Sequence, residues 1–265
     1  MYGLIFSVLL WLLVLAAIVG AIVYGIVTLN RRGRDFGEVD TGIGTVRRLY
    51  FYTVTFVALM MAASGVTEIA HYVLDAITDT EIDGPSRIRL ATGLSLTIVG
   101  LPLWGFHWRL IARQVKEIPV ETRSVLRKVY LYLVLAVAAA ITVVTAVTVL
   151  QWILSNRSFS AYSMAGVVVW AGVWAYHWRM ETAEGQPTPE TLAIRRLYLY
   201  LVAAGTLVTA ATGIGMIIGG ILTEAYDAIA SVETLDGPGL WSSSAKIVLS
   251  LLLVPGGVWA AHWLY

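Results

Sequence analysis

Three stretches share the pattern W-x-x-H-W, and each closes a long apolar run: Trp104-Gly-Phe-His107-Trp108, Trp174-Ala-Tyr-His177-Trp178 and Trp259-Ala-Ala-His262-Trp263. A second motif precedes each of them by about the length of two helices. It begins with two basic residues and has tyrosines at its fourth and sixth positions: Arg47-Arg48-Leu-Tyr50-Phe-Tyr52, Arg127-Lys128-Val-Tyr130-Leu-Tyr132 and Arg195-Arg196-Leu-Tyr198-Leu-Tyr200. Motifs that recur at a matched spacing mark copies of one structural unit. The sequence therefore predicts a leading segment followed by three copies of a helical hairpin.

The composition is that of a membrane protein. Of 265 residues, 58% are hydrophobic and 13% charged, whereas a soluble domain has about 25% charged residues. The net charge of +1 gives no overall basic field, so we expect no nucleic-acid partner. The chain has no cysteine, which excludes disulfides, iron–sulfur clusters and covalent c-type haem attachment.

The first apolar run, residues 2–29, carries no charge and exceeds the roughly 20 residues that a membrane span needs. A cleavable signal peptide would begin with basic residues and have a shorter apolar core. Here the first basic residues, Arg31, Arg32 and Arg34, follow the run instead. We therefore predict a retained helix with its N-terminus outside, and a cleaved signal is the alternative.

The remaining apolar runs complete the predicted architecture, an all-α integral membrane protein with seven transmembrane helices. The hairpin helices are expected at about residues 48–77 and 90–108, 129–154 and 161–178, and 197–225 and 245–263. The corresponding segments are 1–45 for the leading helix and its cytoplasmic linker, and 46–124, 125–192 and 193–265 for the three hairpins.

The distribution of basic residues between the loops predicts the orientation. Loops 30–48, 109–128 and 179–196 are rich in Arg and Lys, whereas loops 78–89, 155–160 and 226–246 have few. Basic loops stay in the cytoplasm. We therefore expect a multi-pass protein of the inner (plasma) membrane with its N-terminus outside and its C-terminus in the cytoplasm.

Both motifs then lie at the cytoplasmic face, because every predicted hairpin starts and ends there. Trp and Tyr prefer this depth, since their rings are apolar while their N–H or O–H groups need a polar partner. Arg side chains extend from this depth towards lipid phosphates. We predict that the motifs form a belt that anchors the helices at the interface and contacts lipids. The belt consists of Arg47, Arg48, Tyr50, Trp104, His107, Trp108, Arg127, Lys128, Tyr130, Trp174, His177, Trp178, Arg195, Arg196, Tyr198, Trp259, His262 and Trp263.

Two sharper interpretations of the belt remain open. It could form a specific site for an anionic lipid headgroup or an isoprenoid quinone. Alternatively, three histidines at one depth resemble a three-His metal site, and His pairs can ligate haem b. Haem ligands usually face each other near the middle of a bundle, whereas His107, His177 and His262 lie at helix ends. We therefore predict no metal and no cofactor.

Ionisable residues inside a membrane normally mark a transport path, and the centres of the predicted spans have none. Glu68 lies about 27 Å beyond Tyr50 at a rise of about 1.5 Å per residue. That distance places Glu68 near the outer interface with His71 and Asp75, and Glu224 takes the counterpart position in the third hairpin. We expect solvated helix ends there, with a cation or partner site as the alternative.

The repeated motifs resemble those of a bacterial membrane family, domain of unknown function 5671. Arg195-Arg-Leu-Tyr-Leu-Tyr-Leu201 and Trp174-Ala-Tyr-His177-Trp178-Arg179 carry the resemblance, which covers about residues 46–265 and leaves out the leading helix. The first copy departs from the pattern with Phe51 and Thr53 in place of leucines, and the second has Lys128 for the second arginine. The resemblance implies the repeated architecture and brings no activity with it.

These observations together predict a non-catalytic membrane protein and not an enzyme. We expect a structural or accessory subunit of a larger membrane assembly, with membrane lipids and other membrane subunits, or itself, as partners. A haem- or quinone-binding redox subunit is the second interpretation, and a transporter is the third.

The asymmetry of the basic loops makes the topology testable. A reporter fused after Tyr265 should read cytoplasmic, and one fused at Met1 should read external. Reporters in loops 109–128 and 155–160 serve as internal controls and should read opposite sides. If both termini report the same side, one of the predicted spans does not cross the membrane.

Overall fold

The computed structural model describes residues 43–78, 86–154, 157–185, 188–230 and 239–263. These ranges are almost entirely helical and contain no strand, which confirms the predicted all-α class. The helices are α1, Ile43–Thr78; α2, Arg87–Glu117; α3, Val125–Ile153; α4, Ala161–Ala183; α5, Pro189–Ala230; and α6, Gly239–Trp263, with a short 3₁₀ helix at Pro119–Arg123 between α2 and α3. The predicted leading span, residues 2–29, lies outside the described residues.

Five of the six helices are long and apolar enough to cross a membrane. Their apolar segments are Val46–Thr78, Arg87–Glu117, Val125–Ile153, Thr191–Thr223 and Ala245–His262. Helix α4 does not belong to this set, because much of its length consists of Trp, Tyr, Ser and His residues. The described helices are thus compatible with a membrane protein, while the count of seven spans stays a prediction.

Several helices extend beyond the predicted spans. Helix α2 continues past Trp108 to Glu117, because Ala, Arg, Gln and Lys are strong helix formers. Helix α5 begins at Pro189, since proline fits the first turn of a helix. Two other starts are capped by serine, as the Ser86 side chain accepts a hydrogen bond from the Arg89 amide and that of Ser160 accepts one from the Ser163 amide.

Helix α3 is the central element of the compact unit Tyr50–Tyr265. It packs against α4, α5 and α6, and its Ala138 joins Ala63 of α1 and Trp170 of α4 in one apolar cluster. Its Leu131 and Leu135 are fully buried. The start of α3, where Arg127, Lys128, Tyr130 and Tyr132 lie, is also buried.

Helices α1 and α2 approach each other through glycines. A Cβ atom on Gly65 would lie 2.7 Å from the Thr97 backbone nitrogen, and one on Gly100 would lie 2.6 Å from the Ala62 backbone nitrogen. Such distances leave no room for a side chain at either position. Small residues allow close helix packing inside a membrane, where the hydrophobic effect does not drive association between helices.

This packing predicts that a glycine-to-alanine substitution has opposite effects on the melting temperature at Gly100 and at Gly105 of α2. Alanine at Gly100 collides with the α1 backbone, so Gly100→Ala should lower the melting temperature in detergent. Gly105→Ala is the matched control, because its Cβ would have no atom within 4 Å. Replacing a mid-helix glycine by alanine gains about 0.5–1 kcal/mol when space is free. If Gly100→Ala melts no lower than wild type, the close α1–α2 contact is wrong.

Candidate functional site

Two tyrosines of the basic–tyrosine motifs hydrogen-bond two histidines of the W-x-x-H-W motifs. The Tyr130 hydroxyl of α3 lies 3.3 Å from His177 Nε2 of α4, and the Tyr198 hydroxyl of α5 bonds His262 Nε2 of α6. All four residues are buried. In each of these two helix pairs, the basic–tyrosine motif is thus joined to the W-x-x-H-W motif by one tyrosine–histidine hydrogen bond.

The backbone fixes the tautomer of each histidine. His107, His177 and His262 each place Nδ1 at 2.7–2.8 Å from the carbonyl oxygen four residues earlier in the helix. A carbonyl oxygen only accepts hydrogen bonds, so the proton of the neutral ring resides on Nδ1. Nε2 of His177 and His262 is therefore an acceptor, and the tyrosine hydroxyl donates to it.

The tryptophans of one W-x-x-H-W motif enclose the Tyr–His pair of the next helix pair. Trp108 packs on Tyr130 and His177, with ring centroids 5.6 and 6.1 Å apart. Trp174 and Trp178 pack on the His262 ring at 5.6 and 5.2 Å. Trp104 and Trp108 stack on each other, and so do Trp174 and Trp178. The aromatic residues thus join successive helix pairs to each other.

The tyrosines of successive motifs also meet in one recurring geometry. Tyr52 of α1 lies against Tyr130 of α3 with ring centroids 5.7 Å apart and an interplanar angle of 35°. Tyr132 of α3 lies against Tyr198 of α5 at 5.3 Å and 35°. The relation of α1 to α3 is therefore repeated between α3 and α5 at this end of the helices.

The first helix pair differs from the other two. Tyr50 is 56% exposed, and its ring lies edge-on to that of His107 at a centroid distance of 6.2 Å. Within the described residues no hydrogen bond joins these two side chains. Tyr50 holds the same motif position as Tyr130 and Tyr198, but among the described residues no tryptophan of a preceding W-x-x-H-W motif covers it.

The basic residues that open α3 form a buried ionic cluster. Arg127 and Lys128 are 4% and 3% exposed. Arg127 Nε donates to Glu184 Oε1 at 2.8 Å, and Lys128 Nζ lies 3.0 Å from Glu184 Oε2 and 3.7 Å from Glu181 Oε1. The Tyr132 hydroxyl donates to Glu181 at 2.6 Å. The partners of Arg127 and Lys128 are thus carboxylates of the same chain.

Only the basic half of this cluster belongs to the belt that the sequence predicts. Arg127 and Lys128 belong to the predicted belt, but we expected them to reach towards lipid phosphates. Glu181 and Glu184 lie in the segment after Trp178 that the sequence predicts to be a loop, residues 179–196. The signal that could have revealed them is their spacing, because Arg127-Lys128 and Glu181-x-x-Glu184 present two cations and two anions at adjoining helix ends.

The other belt residues differ in how far they are exposed. Arg47 and Arg196 are exposed, Arg48 and Arg195 are half-buried, and Trp259 is 44% exposed. Trp108 donates its indole N–H to the Tyr176 hydroxyl at 2.8 Å. The side chain of Trp263 lies outside the described residues. The belt therefore combines inward-facing aromatic contacts with a few outward-facing cations.

A second polar cluster lies at the opposite end of α1. Asp75 is 4% exposed and accepts a hydrogen bond from Arg89 of α2 at 2.8 Å. His71 Nε2 lies 3.1 Å from Asp75, and the His71 ring meets that of Tyr162 of α4. Glu68 lies 3.7 Å from both Arg89 and His71. The expected solvated helix end is wrong for Asp75, because Arg89 and His71 enclose it.

The histidines do not converge on one centre. His177 and His262 have separate tyrosine partners on α3 and α5. In the described parts of the chain, no three His, Asp or Glu side chains form a group that could hold a metal ion. In His177 and His262, the Nε2 lone pair that a metal would need already accepts a hydrogen bond from a tyrosine hydroxyl.

The buried ion pairs predict a large effect of a single neutral substitution. Glu184→Gln leaves two buried cations with one remaining anionic partner, and breaking a buried pair costs about 3–5 kcal/mol. The measurement is the free energy of unfolding in detergent. Glu117→Gln, at the exposed end of α2, is the control and should change it by less than about 0.5 kcal/mol. Equal effects of the two substitutions would contradict the cluster.

Comparison with known proteins adds a family but no function. No curated protein and no solved structure matches this chain. The family model described as "Domain of unknown function (DUF5671)" matches residues 48–160 and 158–245. These ranges include both motifs of the first two helix pairs, apart from Arg47, and the first motif of the third. The two matches together span most of the chain, so this protein belongs to the DUF5671 family.

Proposed function

We propose that this protein is a non-catalytic, multi-pass membrane protein that acts as a structural or accessory subunit of a larger membrane assembly. The observation that carries the proposal is that polar side chains of the two motifs hydrogen-bond to each other. Tyr130 bonds to His177, Tyr198 bonds to His262, and each histidine also bonds to a carbonyl of its own helix. These bonds join neighbouring helices, which is a structural role.

The proposed architecture is seven spans, with three related hairpins after the leading helix. Two observations support it: the tyrosine contacts between α1 and α3 recur between α3 and α5, and a tryptophan of one motif covers the histidine of the next. We include α4 as a span because it pairs with the strongly apolar α3. The basic loops give the proposed orientation, with the C-terminus in the cytoplasm.

Lipid contact at the cytoplasmic interface is the second part of the proposal. The last turns of α2 expose Phe106, Arg109, Arg113 and Lys116. These residues combine an apolar ring with three cations at the predicted depth of the headgroups. Basic side chains near the cytoplasmic leaflet gain about 1 kcal/mol each from anionic lipids. Exposed Arg47 and Arg196 belong to the same set.

The proposal can be tested by native mass spectrometry of tagged protein extracted from its own membranes in a mild detergent. We expect masses of complexes with other membrane proteins and a colourless preparation. Protein that migrates alone and shows a Soret band would support a redox subunit instead. A cation or proton flux in liposomes that is lost in Glu68→Gln would assign transport and overturn the proposal.

A further inference from the structure

An apolar groove runs between α3 and α5, with α6 as its floor. Its volume is about 320 Å³, and its walls consist of Ala, Val, Leu, Gly and Thr residues. The hydroxyls of Thr206 and Thr209 bond backbone carbonyls of their own helix, Val202 O at 2.9 Å and Gly205 O at 2.8 Å. These threonines therefore turn no free hydroxyl proton towards the groove, which opens sideways beside exposed Val144 and Leu201.

The corresponding space between α1, α3 and α4 is filled. We count positions from the tyrosines of the basic–tyrosine motifs on α1, α3 and α5. Large residues on α1 correspond to small groove residues on α3, Phe56, Leu59 and Met60 to Ala136, Ala139 and Ala140, and Val137 of α3 corresponds to Gly205 of α5. Met60 and Val137 pack against the cluster of Ala63, Ala138 and Trp170. The groove therefore lies where α3 and α5 carry smaller side chains than the matched positions of α1 and α3.

One arginine lies at the end of the groove that adjoins the belt. Ala136 is one helical turn from Tyr132, and Arg195 precedes Val202 of the groove wall by seven residues, or two turns, on the same face of α5. Arg195 is also one turn before Tyr198, whose ring packs on that of Tyr132. Arg195 is half-buried, so a positive charge flanks the mouth of an uncharged groove.

We propose that this groove binds one acyl chain of an anionic glycerophospholipid whose phosphate lies at Arg195. The inference rests on the proposed lipid contact at the cytoplasmic interface and names a particular site and lipid class. The groove extends over nine residues of each wall helix, which is eight rises or about 12 Å along the axis. Its polarity matches a lipid, because an apolar channel ends at a cation.

Other occupants fit less well. A 12 Å length of a second transmembrane helix, about 10 Å across with its side chains, occupies roughly 940 Å³, about three times the groove volume of about 320 Å³. A quinone carbonyl could accept a hydrogen bond from Arg195, but it carries no negative charge to pair with that cation, whereas a phosphate does. The nearest hydroxyls already donate elsewhere, Tyr132 to Glu181 and Tyr198 to His262.

The test uses the full chain and transplants the bulky residues of the filled space. The variant Ala136→Phe/Ala139→Leu/Ala140→Met should close the groove with side chains that the first space already accommodates. Wild-type and variant protein are reconstituted in vesicles of equal parts phosphatidylcholine and phosphatidylglycerol, and bound lipid is counted by native mass spectrometry. We expect wild type to retain one phosphatidylglycerol, and the filled variant to bind it at least about tenfold more weakly, equivalent to about 1.4 kcal/mol.

Two further variants separate the groove from general lipid adhesion. Ala211→Phe adds the same ring on an exposed face of α5, away from the groove, and should keep the bound lipid. Arg195→Gln should keep a bound lipid but lose the preference for phosphatidylglycerol over phosphatidylcholine. If the triple variant does not fold, Ala139→Leu alone provides the test, with the melting temperature as the check of folding.

The outcomes for the groove and for the proposed function are distinct. The proposed lipid site is contradicted if the filled variant retains its lipid as wild type does. It is also contradicted if wild type retains the two lipids equally. Either result leaves a structural role with unspecific lipid contact intact. Protein that purifies without partner subunits challenges the proposed function and leaves the lipid count unaffected. A quinone as the retained molecule overturns the proposed occupant.

Discussion

The structure depends on a short hydrogen bond at each W-x-x-H-W motif, from histidine Nδ1 to the carbonyl of the residue just before the motif. In His177 and His262 this bond turns the lone pair of Nε2 towards the neighbouring helix. A tyrosine hydroxyl can then donate to it, which sets the rotation and depth of the two helices relative to each other. Hydrogen bonds within membrane proteins contribute only about 0.6 kcal/mol on average. These bonds therefore matter chiefly for their direction, and the tryptophans packed on the rings add apolar contact.

The ionic cluster at the start of α3 follows a different logic. Arg127 and Lys128 are taken out of solvent, and only Glu181, Glu184 and the aromatic rings around them compensate for the loss of hydration. A buried ion pair contributes little net stability compared with apolar residues, but a broken one is costly. Such a cluster therefore selects one arrangement of helix ends over others. It resembles the Asp75–Arg89 pair at the opposite end of α1, where charges also join two helices.

The sequence predicts the helices well, because a long apolar run that ends in W-x-x-H-W is compatible with few structures other than a helix. It also predicts that the two motifs of each hairpin lie at one level, where the structure shows Tyr130 against His177 and Tyr198 against His262. It does not predict that Tyr50 stays exposed, because exposure depends on which neighbour covers the ring. It also gives no basis for deciding whether Arg127 turns outward to phosphate or inward to Glu184. Both choices satisfy the same letters, and only the tertiary positions of the acidic residues decide between them.

The groove shows how contacts at one end of a helix control the space along its middle. The paired rings of Tyr132 and Tyr198, 5.3 Å apart, hold α3 and α5 at nearly the distance that Tyr52 and Tyr130 set for α1 and α3. Helices held in this way cannot move together when side chains between them become smaller. Replacing a residue such as Met60 by its counterpart Ala140 then leaves space instead of a closer approach, as is usual when packed surroundings relax only partly. Because this space opens sideways and is apolar, it suits the acyl chain that we propose as its occupant.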